Sequence, residues 1–262
     1  MYRKPCRRYK TVKEPFFKLK SGSFVVVLLM ALMASSFTAS CSNDDDDDAP
    51  SDITRTMNVL FVGNSIAQHS YREDIGWLSD WGMAATKREN DVVHQLQGML
   101  KAGNPSSSVT PCNIAVWERD FTIDIDELLS DTLRNRNAVV IMLGENVLDL
   151  TTFKTKINDV VDRCLEQTPM VVLVGCFIHR EREREKAARD AAERRHLPFV
   201  SLLTLETETR EDLCPTIDDT YYDTNGKTYH LSNPSILGHP NDMAMKLIAK
   251  RIYKAFKENF KE

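Results

Sequence analysis

Several things are missing from this 262-residue sequence, and each absence removes a class of function. Its six cysteines form no CxxC pair, so the usual spacing of a zinc site is not there. His69, His94, His179, His196 and His230 share no metal-ligand spacing and read as structural or solvated side chains. No glycine-rich cradle follows the first apolar run, which disfavours a flavodoxin-like phosphate binder. A basic stripe is also lacking, and that argues against nucleic acid as a partner. Finally, the apolar run Phe24–Met33 holds ten residues, short of the roughly 20 that a membrane-crossing helix needs.

What is present at the start is a leader. Eight Lys or Arg residues (Arg3, Lys4, Arg7, Arg8, Lys10, Lys13, Lys18, Lys20) precede that apolar run, and small residues lead to Thr38-Ala39-Ser40-Cys41. A charged start, a short apolar centre and a small-residue exit make an export signal over residues 1–40. A retained transmembrane helix is the weaker alternative. Cys41 directly after the small residues resembles the lipidated first residue of a bacterial lipoprotein; ordinary secretory cleavage near Ser40 is the other reading. Asp44–Asp48 are five like charges in a row, which repel and stay solvated, so residues 41–52 read as a disordered tether. The run resembles the acidic export signal of Bacteroidetes-type surface lipoproteins, although a plain spacer would look the same. The expected location is the outer membrane or cell surface, alternatively the periplasm. Removing residues 1–40 takes away eight positive charges and Glu14, moving the formal charge from −4 to −11. A body this acidic is not drawn to anionic lipid, so the expected membrane contact is the acyl anchor at Cys41 alone.

Residues 53–262 suffice for one domain with a sizeable core. Four cysteines lie in it: Cys112, Cys164, Cys176 and Cys214. Cys164 and Cys176 sit in apolar surroundings and read as small buried hydrophobes. A disulfide is permitted outside the cytoplasm, with partners that sequence does not choose.

The stretch that organises the domain is Asn58–Ala67. Its apolar run ends abruptly at Gly63-Asn64-Ser65, as a buried parallel strand with a tight turn at its carboxyl end would. Ligands bind at that end in open α/β sheets. A serine there serves as a nucleophile if a histidine reaches it, and otherwise caps the next helix. Residues 66–90 read as irregular. Asp91 caps a helix over Val92–Lys101, and strand two runs from Thr110 to Val116, ending at Trp117-Glu118-Arg119-Asp120. A helix over Asp124–Arg134 leads to the central strand Ala138–Leu143, which stops at Gly144-Glu145-Asn146. Thr151 or Thr152 caps the next helix, to about Gln167; strand four is Met170–Cys176. Glu181–Arg195 alternates Arg and Glu over an alanine stripe and reads as a solvated helix. Pro198–Ser201 is a short fifth strand, residues 202–235 read as irregular, and Gly238-His239-Pro240-Asn241 opens a closing helix from Asp242 to about Phe260.

Five near-continuously apolar strands alternating with helices imply an α/β fold, a three-layer αβα sandwich around a doubly wound parallel sheet. The shortest topology is flavodoxin-like, order 2-1-3-4-5, with its switch point between strands one and three. Ser65 and Asn146 then face each other across that crevice.

Gly63-Asn64-Ser65, Gly144-Glu145-Asn146 and His239-Pro240-Asn241, in this order at three strand or helix ends, resemble the SGNH (GDSL-type) hydrolase family over about Asn58–Ile252. The resemblance implies Ser65 as nucleophile, His239 as general base, and the Asn146 side-chain amide with the Ser65 backbone amide as oxyanion donors. It implies no cofactor and an ester substrate. Bland readings stand beside these roles: Asn146 as a helix or turn cap, and His239 as a surface residue before a helix. Two positions depart from the pattern. Ile236 stands where the family has an aspartate that orients the histidine, leaving Glu118, Glu145, Asp242 or a backbone carbonyl as the acceptor. Strand two also lacks the glycine that supplies a third oxyanion donor, leaving the amides of Trp117 or Glu118, or Gly82, as candidates. Trp77, Trp81 and Trp117 are either packing residues or a platform for sugar. The expectation is therefore a carbohydrate deacetylase or related esterase. The alternative is a glycan-binding surface lipoprotein of the same fold that lost activity.

Overall fold

The computed structural model describes residues 53–178, 182–203, 205 and 213–260. The leader, Cys41, the aspartate tether and His179 lie outside the described residues.

Alternate side chains of a strand point to opposite faces, so a strand buried on both faces must be apolar at every position. The two central strands meet that condition apart from Asn58 at the start of the first. In β1 (Asn58–Gly63), Val59 and Phe61 join one core layer while Leu60 and Val62 join the other. In β3 (Ala138–Met142), Val140 and Met142 face the first layer, Val139 and Ile141 the second. They lie side by side at the centre of a five-stranded sheet with β2 (Ser108–Asn113), β4 (Val171–Val174) and β5 (Phe199–Val200). The order is β2-β1-β3-β4-β5 and every pairing is parallel. Each fully buried Val or Leu in these strands contributes roughly 2 kcal/mol of transfer free energy.

Helices cover both faces. On one lie α1 (Val92–Gly103), through Val92, Val93, Leu96 and Leu100, and the closing helix, through Ala244, Met245, Ile248, Ala249, Ile252 and Phe256. The other face carries α3 (Ile125–Leu133), α4 (Leu150–Leu165) and α5 (Arg182–Glu193). The expected sandwich and strand order are both observed. Caps fix most helix starts: the Asp91 side chain accepts from the His94 amide and Asp124 from Asp126. The cap of α4 is Asp149, which accepts from Thr152, rather than either threonine.

Four local readings change. Strand two ends at Asn113, and the chain then turns into a short helix, α2 (Ala115–Arg119), because the Asn113 side chain takes the Ala115 amide at 2.9 Å. Residues 66–90 contain two 3-10 turns, Glu73–Ile75 and Arg88–Asn90. Within 202–235, β6 (Thr220–Tyr222) and β7 (Thr228–His230) pair as an antiparallel hairpin across Asn225-Gly226. Lastly, α5 is not solvated on every side: its alanine stripe and Glu185 are buried. Glu185 accepts from the Ser201 hydroxyl at 2.6 Å and from the Leu202 amide at 3.1 Å, tying α5 to the chain after β5. The four cysteines of the domain are free thiols, two of them buried.

Candidate active site

Three chain segments meet at the carboxyl edge of the sheet. The first is the turn after β1. The Asn64 carbonyl accepts from the Ala67 and Gln68 amides at 3.0 and 3.1 Å, forming a single helical turn that lifts Ser65 to the rim. Gly63 is required under this turn, since an added Cβ there would sit 2.9 Å from the Ala67 Cβ. The Ser65 N–H has no acceptor among the described residues.

The second segment precedes the closing helix, α6 (Asp242–Asn259), whose N-cap is Asn241. It delivers His239, 8% exposed, with Nε2 at 2.9 Å from the Ser65 Oγ. The opposite ring nitrogen, Nδ1, lies 3.1 Å from the Ile236 main-chain oxygen. A carbonyl only accepts, so it fixes the proton on Nδ1 and leaves Nε2 as the acceptor for the serine hydroxyl. The position that lacks an aspartate thus supplies the orienting oxygen from its backbone, while the Ile236 side chain is buried in the core. Burial lowers the His239 pKa to about 4, against a smaller upward pull from the Ile236 carbonyl. The imidazole is neutral at physiological pH, as a proton acceptor must be.

The third segment is the turn after β3. Gly144 has φ +126°, and a Cβ on it would lie 2.5 Å from the Cys176 Sγ, so both conformation and space demand glycine. Arg184 of α5 steadies the turn by donating to the carbonyls of Gly144 and Val147 at 2.8 and 2.9 Å. The Asn146 side chain is held from both ends. Its Nδ2 donates to the Glu118 Oε2 at 2.6 Å, and its Oδ1 accepts from the Arg119 Nη2 at 2.8 Å. The second hydrogen on Nδ2 remains for another acceptor.

Glu118, on α2, is the hub of this network. Besides the Asn146 side chain it takes the Gly144 amide, the Asn146 amide and the Asn64 Nδ2. Those donors match the four lone-pair sites of a carboxylate. Burial pushes its pKa up, and the hydrogen bonds pull it back.

The remaining candidates do other work. Glu145 accepts from the Phe177 and Ile178 amides after β4 and does not orient His239. Asp242 accepts from the Thr86 amide at 2.8 Å and from the Asn90 side chain at 2.8 Å, pinning the loop before α1. Glu118 faces Asn146 instead of the imidazole. As third oxyanion donors, Gly82 and Trp117 are both spoken for: the Gly82 amide donates to Asp91 at 3.1 Å and the Trp117 amide to the Ile114 carbonyl at 2.9 Å. The three tryptophans are buried in the core and present no platform to a sugar. Arg119 and the clamping role of Glu118 were missed by sequence reasoning. The only signal was the charged Trp117-Glu118-Arg119-Asp120 run, which reads as a strand end until α2 turns it over the crevice. His69 was passed over as well. It is half-buried, and burial together with the charges of Arg72 and Arg119 lowers its pKa.

No protein-family model matches the chain, and no curated protein matches it. Solved structures do match in fold. A two-domain esterase active on acetylated mannans, crystallised with mannopentaose, superposes with a TM-score of 0.54 at 18% identity, covering 80% of this chain. This chain spans about half of that protein, 52% of its length. An α/β hydrolase from the metagenome of Lake Arreo, Spain, gives a TM-score of 0.51 at 15% identity, covering 78% of this chain and 97% of its own. A variant of an acetyl xylan esterase from Geobacillus stearothermophilus gives 0.50 at 14% identity, covering 78% and 95%. At these identities the likeness defines the fold: a doubly wound α/β architecture of the kind these hydrolases share.

Proposed function

We propose that the protein is a serine esterase of the SGNH type that removes acetyl groups from carbohydrate. The observation that carries this reading is the 2.9 Å contact between the Ser65 hydroxyl and a neutral, carbonyl-oriented His239. In the proposed reaction the Ser65 Oγ adds to the ester carbonyl as its proton passes to the His239 Nε2. Negative charge grows on the carbonyl oxygen, facing the Ser65 N–H and the free hydrogen of the Asn146 Nδ2. One such donor is worth roughly 3 kcal/mol of barrier in related chemistry. Collapse breaks the bond to the sugar oxygen, which takes the proton from His239 and leaves as an alcohol. Water then adds to the acyl-serine, losing a proton to the same nitrogen. Acetic acid departs, later losing its proton to solvent, and the proton held by His239 returns to Ser65.

Carbohydrate is favoured because the structural neighbours include enzymes that act on acetylated mannans and an acetyl xylan esterase. No residue of the proposed cycle calls for a cofactor. The export leader and Cys41 fit a lipid-anchored protein at the outer membrane or cell surface. Labelling with radioactive palmitate, lost in Cys41→Ala, tests that part separately. The rival reading, a glycan-binding module without activity, drew on Ile236. Its force is reduced by the Ile236 main-chain oxygen standing where an acceptor is needed. The test is hydrolysis of p-nitrophenyl acetate and acetylated xylan by the protein from Ile53 onward, beside Ser65→Ala and His239→Ala. Loss of turnover in both folded variants supports the esterase. Equal background rates in all three, with glycan still bound, support the module.

A further inference from the structure

Arg119 stands out because it forms no ion pair among the described residues. It is exposed on α2, and its one hydrogen bond among the described residues goes to the neutral Asn146 Oδ1. Among the described residues no carboxylate forms an ion pair with it, and four acidic side chains of this region are engaged elsewhere. Glu118 is buried beneath Asn146, Asp120 turns to Thr122 at 2.6 Å, Asp149 to Thr152 at 2.6 Å, and Asp74 pairs with Arg72. A guanidinium has five N–H groups, so with one committed four remain as donors. Its charge is felt inside the site, where it helps lower the pKa of His69. Two exposed apolar side chains belong to the same two segments: Val116 (50% exposed), one helical turn before Arg119, and Leu148 (76%), two residues after Asn146.

We propose that this arrangement selects substrates in which the acetylated sugar, or its neighbour, carries a carboxylate: an acetylated uronic-acid glycan. The inference rests on the esterase reading above and names the substrate class of that same site. A planar carboxylate suits an Arg fork better than any neutral hydroxyl does, because both N–H···O bonds are charge-assisted. Arg119 is tied to the Asn146 amide, so a carboxylate seated on it is held at a fixed offset from the ester carbonyl. Val116 and Leu148 offer contact to the C–H face of the ring. The acidic surface elsewhere does not defeat this attraction. At physiological salt the screening length is about 8 Å, so the guanidinium at the rim outweighs more distant carboxylates.

The test compares acetylated galacturonate oligomers, the same oligomers as methyl esters, and acetylated xylo-oligosaccharide. Wild type, Arg119→Gln and Arg119→Lys are assayed at low and at 1 M salt. The expected result is a kcat/KM at least tenfold higher for the free acid than for its methyl ester in the wild type. That ratio shrinks at 1 M salt, collapses to near one in Arg119→Gln and is partly kept in Arg119→Lys. Absolute rates of the variants also fall if Asn146 loosens, which is why the ratio is the readout. A wild-type ratio near one, or a ratio that survives Arg119→Gln, overturns the proposal; an equal fall on all three substrates reduces Arg119 to a support for Asn146. Turnover of no substrate, p-nitrophenyl acetate included, would sink the esterase reading instead. In that case calorimetric titration of the Ser65→Ala protein with galacturonate trimer and its methyl ester still reads the charge. Equal affinities there overturn the carboxylate subsite independently.

Discussion

The imidazole of His239 is oriented by the main-chain oxygen of Ile236 at 3.1 Å, while the side chain of the same isoleucine is packed into the core. Backbone and side chain at this position therefore have separable jobs. Ile236→Val should keep esterase activity within about twofold and cost about 1 kcal/mol of stability. Ile236→Asp, which supplies the residue type that the SGNH resemblance leads one to expect, should not improve catalysis. It drives a carboxyl into an apolar layer, a penalty on the order of several kcal/mol. Thermal melting and p-nitrophenyl acetate assays on the two variants check this.

A backbone carbonyl stabilises an imidazolium less than a carboxylate does, and the pH behaviour should show it. With its pKa lowered to about 4 by burial, His239 stays neutral through the mildly acidic range. The acid limb of kcat/KM should fall near pH 4 rather than between 6 and 7. Stability follows the same group. Its folded pKa lies below the unfolded value of about 6.5, so the unfolded chain binds the proton first. The contribution is complete above pH 6.5 and is lost as pH drops toward 4, on the order of 3 kcal/mol in all. Denaturant titrations of wild type and His239→Gln at pH 4.5 and 7.5 measure it: the wild type should lose more.

Glu118 clamps Asn146, Gly144 and Asn64 together. Glu118→Gln keeps the shape but sets an NH2 group against N–H donors, leaving at least one unsatisfied. The expected result is a fall of about 10- to 100-fold in kcat with KM little changed. Asn146→Ala should cost about 100- to 1000-fold, as for other oxyanion donors. If Glu118 acts through Asn146, the double variant should be no slower than Asn146→Ala alone.

Gly144→Ala tests the turn itself. Its φ of +126° and the nearby Cys176 Sγ leave no room for a methyl group. Destabilisation of roughly 1–3 kcal/mol from the backbone alone is expected. Trimming the obstacle with Cys176→Ala should recover the steric part and leave the conformational part. A melting-temperature cycle over the four proteins separates the two.

The sheet was legible in the sequence because its central strands are buried on both faces, which forces uninterrupted apolar runs such as Ala138–Leu143. The switch point led to the expectation that Ser65 and Asn146 face one crevice; Glu118, bonded to both the Asn64 and the Asn146 side chains, links the two turns. Less local features were not readable. Strand two ended early because the Asn113 side chain caught the Ala115 amide, and hydropathy does not record that event. The Thr220–His230 hairpin is too short for its alternation to rise above the surrounding loop. The orienting acceptor for His239 was undecidable among Glu118, Glu145, Asp242 and a carbonyl, since main-chain oxygens carry no sequence signature. Arg119 and Glu118 became interpretable only once α2 folded them over the turn after β3.

The most direct measurement is covalent. An alkyl fluorophosphonate reacts with a serine only when a base has activated it, and peptide mass spectrometry locates the adduct. The account predicts a single adduct on the peptide containing Ser65, absent in Ser65→Ala and strongly slowed in His239→Ala. No adduct on a folded protein, or an adduct on another serine with esterase activity intact in Ser65→Ala, would contradict it.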